Sequence, residues 1–217
     1  MRQRAAGLWR RILTSDPDAI FGPEASRLLN RGPADRLAQP GYMGQRYRPG
    51  GLVFVSMNPG PGPLGGLNPA DQLQYKTLEA LRDADDSAVC ARFDEVTEVL
   101  ADIMPGWHIH RNFVTPVLEA WKLNFSEVAY VNLLKWRITS SSGLARLYKL
   151  SWDDHTRGQL ELLAPSRVIA IGTDAGRAFQ RHCKGSFEFD FIPRHFSNVR
   201  YGTGRAALAR ITGSNLT

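Results

Sequence analysis

The segment SMNPGPG, residues 56–62, sets a bare amide, Asn58, at the end of an apolar run. Pro59 and Gly60 force a sharp turn, and Gly60 and Gly62 let backbone N–H groups come close to a ligand. An ordinary turn in which Asn58 bonds its own backbone uses the same residues. No G-K-[ST] follows, which excludes a phosphate-binding P-loop, and prolines stand where a dinucleotide fingerprint needs a helix to open. A second amide, Asn132, interrupts the apolar run AYVNLL. If buried it must find partners, either a neighbouring loop or the edge of a ligand. Lys135 and Arg137 lie just beyond, where a pocket mouth would put them against phosphate. A third cluster, PRHFSNVRYGTGR at 193–205, carries His195, Ser197 and Asn198, with Arg194, Arg200 and Arg205 around Phe196 and Tyr201. Basic residues interleaved with aromatics suit nucleic-acid backbone and bases, and a solvated loop is the plainer alternative. His108 and His110 share a face if that stretch is extended, but the further ligands of a metal site are missing. The five tryptophans read as packing residues.

Those clusters must be held by something, and the apolar patterning predicts what. GLVFVSM (51–57), EVAYVNLLKW (127–136), RVIAIG (167–172) and FEFDFIP (187–193) read as buried strands. Helical spacing runs through residues 1–14, a short stretch at 18–30, the segment from Pro69 to Ala84, then 87–104, 115–124, 151–164, 173–183 and 204–212. Asn68 is placed as a cap with Pro69 in the first turn. The stretch RGPADRLAQPGYMGQRYRPGG, rich in Gly, Pro and Arg, reads as an irregular arm over the surface. Strands alternating with helices imply a three-layer α/β/α domain with a central, mainly parallel sheet of about four strands. Ligands in such folds bind beyond the carboxyl ends of the strands, which is where all three clusters fall.

At 217 residues the chain suits one domain, with a helical and irregular N-terminal arm over about residues 1–50. The start is basic but lacks a secretory apolar core, so it reads as an amphipathic surface helix. Two distant cysteines, Cys90 and Cys183, exclude a disulfide framework and a four-cysteine zinc or iron–sulfur site. A net charge of +6 favours a polyanionic partner.

Taken in order, the clusters resemble the uracil-DNA glycosylase superfamily over about residues 50–205. MNPGPG at 57–62 looks like the first motif of the single-strand-selective and mismatch-specific branches. VNLLKWR at 131–137 is similar to the Asn-bearing strand of the thermophilic branches. VIAIGTDAGRAF at 168–179 resembles the third strand and its helix, and HFSNVR at 195–200 the second motif. Ser56 stands where the family usually has Gly, and Phe196 where it has Pro. The resemblance implies a monofunctional glycosylase that removes uracil or a related deaminated base from DNA. Asn58 would hold the attacking water, and His195 would donate to the base O2. Met57, Tyr75 and Asn132 would line the base site. Gly60, Gly62, Lys135, Arg137, Arg194, Phe196, Ser197, Asn198, Val199 and Arg200 would meet the DNA, with Val199 or Phe196 as the wedge. It implies no metal and no cofactor, a DNA partner, a monomer, no membrane, and a place in the cytoplasm or on the nucleoid. The alternatives are a catalytically silent nucleic-acid-binding member of the same fold and a hydrolase of free nucleosides.

Overall fold

A computed structural model describes residues 1–29, 37–59, 69–138, 144–183, 187–193 and 202–213. The chain opens with α1 (Arg2–Leu13), α2 (Pro17–Phe21) and α3 (Pro23–Ser26), then forms β1 (Tyr42–Met43) and β2 (Leu52–Ser56). Helices α4 (Pro69–Arg82), α5 (Val89–Ile103) and α6 (Thr115–Ala120) lead to β3 (Ala129–Asn132). Next come α7 (Ala145–Ser151), α8 (Arg157–Leu163), β4 (Arg167–Ile171), α9 (Thr173–His182), β5 (Glu188–Ile192) and α10 (Gly202–Thr212). The strands form one sheet in the order β1-β3-β2-β4-β5, parallel throughout except for the β1–β3 pair.

Every residue of β2 and β3 is buried, so both faces of the sheet are covered and the architecture is the three-layer α/β/α expected. The helices bury stripes at helical spacing: Phe93, Val96, Thr97 and Leu100 in α5, and Tyr75, Leu78 and Leu81 in α4. Helix α1 buries Ala5, Ala6, Trp9, Ile12 and Leu13, and the Trp9 indole donates to the Gly41 carbonyl. Among the described residues no helix is long and apolar enough to cross a membrane.

Two expectations change. The supposed surface arm packs into the domain, with Leu37, Ala38, Tyr42, Met43 and Tyr47 buried, and it supplies the fifth, antiparallel strand. At Gly41, with φ +101°, a Cβ would meet the Tyr130 carbonyl oxygen at 2.2 Å, so only glycine lets β1 reach β3. The helix expected over 151–164 begins earlier, as α7, and passes through one π-turn, Trp152–Thr156, before α8. That turn drives His155 into the interior.

Candidate functional site

Strand register brings the site together. Ser56 lies level with Asn132 on one side and Ile171 on the other, and Ile171 lies level with Ile192. Four parallel strands therefore end along one line, and the turns that follow β2, β3 and β4 face a common cavity of about 340 Å³. Asn58, Met57 and Asn132 all stand in its wall. The chain reverses its direction across the sheet at β2, going first to β3 and then to β4, which is where open α/β sheets bind ligands.

Asn132 is only 7 % exposed and is held from several sides. Its Oδ1 accepts from the Ser56 hydroxyl. Its main-chain carbonyl accepts from Lys135 Nζ and, at 3.3 Å, from Thr156 Oγ1. Lys135 Nζ also donates to Gln159 Oε1 at 2.5 Å, and Gln159 Nε2 donates to the Pro40 carbonyl at 2.7 Å. Lys135 was expected at the pocket mouth. It is instead fully buried, because the turn after β3 folds its stem back beneath the strand end. Burial pushes its pKa well below the usual lysine range.

Asn58 is half-buried, and its Nδ2 donates to the Pro59 carbonyl at 2.5 Å, a local bond that differs from the side-chain-oxygen-to-N–H turn that local chemistry also allows. Its Oδ1 is left as the acceptor of that amide. Arg137 is mostly buried in the cavity wall rather than free on the surface. Its guanidinium lies 3.7 Å from Asp71 Oδ1 and over the Tyr75 ring at 5.6 Å. Tyr75 does not line the cavity. Its hydroxyl accepts from Gln39 Nε2 at 2.8 Å, behind the wall that Gln39 and Gln74 form.

The chain matches no protein-family model, and no curated protein matches it in sequence. The residues themselves therefore carry the functional reading.

Gly60 and Gly62 lie outside the described residues, as do Arg194, His195, Phe196, Ser197, Asn198, Val199 and Arg200. The segment that carries His195 follows β5, which ends at Ile192 on the same sheet edge as the cavity.

The wall also holds residues the sequence did not single out for chemistry. Trp107 enters from the chain after α5, beside His108, which was weighed only for a metal; Asp71 and Gln74 come from α4, and Thr173 and Asp174 from the start of α9. Trp107, read as packing, is one of the aromatic residues of the wall, with Tyr130. The His108–His110 stretch is helical, not extended, which places the two rings about 200° apart around the axis. His108 is exposed at the cavity, while His110 packs edge-on against Phe125 with Nδ1 3.2 Å from Thr115 Oγ1. Burial lowers the pKa of His110 to about 4. Among the described residues no cluster of three or more metal-ligating side chains occurs.

Proposed function

We propose that this chain is a monofunctional DNA glycosylase that hydrolyses the N-glycosidic bond of uracil or a related deaminated base. One observation carries the reading: Asn58 and Asn132, from motifs far apart in sequence, stand in the wall of one cavity at the carboxyl ends of the parallel strands. The cavity volume is at the small end of the range for small-molecule sites, a class that suits one flipped base better than a peptide.

In this reading the Asn58 Oδ1 orients a water toward the sugar C1′. An oxocarbenium-like centre needs a placed water more than a strong base, so an amide suffices. Asn132 presents Nδ2 to the base O4, and the second lone pair of Oδ1 to N3–H. Trp107 supplies an aromatic face for the base. His195 is assigned the hydrogen bond to O2, from the motif resemblance.

A second reading, a silent nucleic-acid-binding member, is favoured by the bond from Asn58 Nδ2 to Pro59, which ties part of the amide to its own turn. Incubation with an end-labelled uracil oligonucleotide followed by alkali separates the two. Strand breaks at the uracil support the glycosylase, and binding without breaks supports the silent module.

A further inference from the structure

The first turn of α9 lies in the cavity wall through Gly172, Thr173 and Asp174. Gly172, at φ +112°, turns its own N–H to the Ile192 carbonyl at 2.8 Å. The first bond within the ten-residue helix runs from Gly176 N–H to the Gly172 carbonyl. The N–H groups of Thr173, Asp174 and Ala175 therefore have no acceptor inside the helix, no side chain caps it, and its positive end points at the cavity. Independently, Asn132 is more than nine-tenths buried in the same wall. Its Oδ1 is engaged by Ser56, which leaves its Nδ2 as the donor of that amide in the cavity wall. The buried Thr173 hydroxyl has no hydrogen-bond partner among the described residues. Donors placed in this way call for acceptors. Of the charged wall residues, Arg137 and Asp71 offset each other, while the exposed Asp174 carboxylate opposes a bound anion, an effect that solvent weakens but does not remove.

We propose that the first turn of α9, together with Asn132 Nδ2, binds the anionic edge of the departing base. This rests on the glycosylase reading. When the C1′–N bond breaks, both of its electrons leave with the base, which becomes an anion, and C1′ becomes cationic. Water then forms the C1′–O bond, and the proton it loses neutralises the base. The Thr173 N–H is thus a catalytic group that acts where negative charge develops.

Thr173→Pro tests it. Proline at the first helical position removes that N–H and suits the helix, and the extended ψ of Gly172, 141°, accommodates a following proline. Two probes are titrated by calorimetry: free uracil, neutral at pH 7, and 5-nitrouracil, an anion at that pH. The parent binds the anion more tightly than uracil. Thr173→Pro loses about tenfold on the anion, loses little on uracil, and slows single-turnover excision by a similar factor at unchanged oligonucleotide affinity. Asp174→Asn removes a competing negative charge and moves anion binding the other way, a gain that misfolding cannot imitate. If Thr173→Pro binds the anion as tightly as the parent, or Asp174→Asn brings no gain, the proposal is overturned, even if uracil is excised. If the anion preference and both shifts appear but uracil DNA is never cut, the donor wall stands as an anion site and the glycosylase reading falls.

Discussion

Asn132 and Asn58 share a cavity but are held in opposite ways. Asn132 sits on a strand, with its side chain tied to Ser56 and its main chain tied to Lys135 and Thr156. Asn58 sits on a turn, half-buried, and among the described residues its Nδ2 bonds only the carbonyl of the next residue. An amide that must discriminate between ligand edges has to be fixed before the ligand arrives, because its selectivity comes from what it refuses to rotate into. An amide that only has to place a water can keep a looser hold. The anchoring around Asn132 and its scarcity around Asn58 thus fit a division into reader and water-holder.

The anchored side should be the acid-labile one. Burial, with a smaller contribution from nearby Lys135, lowers the pKa of His155 to about 4, and burial alone does the same for His110. The unfolded chain takes up these protons near pH 6.5, while the folded chain refuses them until about 4. The stability they confer is complete above pH 6.5 and is lost as pH falls toward 4, at up to about 1.4 kcal/mol per pH unit for each histidine. Urea titrations at pH 7.5, 6 and 5 measure the slope. His155→Gln should flatten it, and a slope identical to the parent's would show that His155 is protonated in the fold.

Next in size is Lys135→Ala. It leaves the Asn132 carbonyl and Gln159 Oε1 short of a donor in a fully buried place and opens a void, for a loss of about 3 kcal/mol or more. A midpoint shift in denaturant reads this directly. If Lys135 were a surface phosphate contact, the same change would leave stability within about 0.5 kcal/mol and act on DNA affinity alone.

Asn58→Ala should do the reverse. Base release is expected to fall by about 10²-fold, as for loss of a positioned catalytic group, while stability and oligonucleotide affinity hold. The comparison fails if the variant cleaves as fast as the parent, for then Asn58 is only a turn residue.

The strand of Asn132, the turn of Asn58 and their convergence on one cavity were legible because long apolar runs bounded by Gly and Pro give strands, and alternation with helices gives parallel register. What anchors Asn132 was not. Nothing in LLKWR says whether Lys135 points out to water or folds back under the strand, since that depends on Gln159 and Thr156, which come from the far side of a crossover. Strand β1 has two residues in a Gly- and Pro-rich stretch, too short for any periodicity to register. Trp107 and His108 reach the cavity through a 3-10 turn after α5, an extended Trp107 and a helical turn that resumes at His108, which the pair of histidines did not signal.

The smallest effect expected tests the reader most narrowly. The Ser56 hydroxyl spends its single proton on Asn132 Oδ1, and the register that sets the two residues level makes this a side-chain link between β2 and β3 at the cavity. Ser56→Ala removes the link and no backbone bond. It should cost about 1 kcal/mol of stability and let the amide rotate about its last torsion. Held, the amide offers a carbonyl to N3–H and an NH₂ to O4, as uracil requires. Turned over, it offers NH₂ to an N3 acceptor and a carbonyl to an N4 amine, as cytosine requires. Freed rotation should therefore lower the ratio of uracil to cytosine excision roughly fivefold, the equivalent of about 1 kcal/mol, with most of the uracil rate retained. Parallel single-turnover reactions on matched oligonucleotides give that ratio. If it stays constant while stability drops as expected, the hydroxyl only braces the sheet edge, and base choice is made elsewhere in the wall.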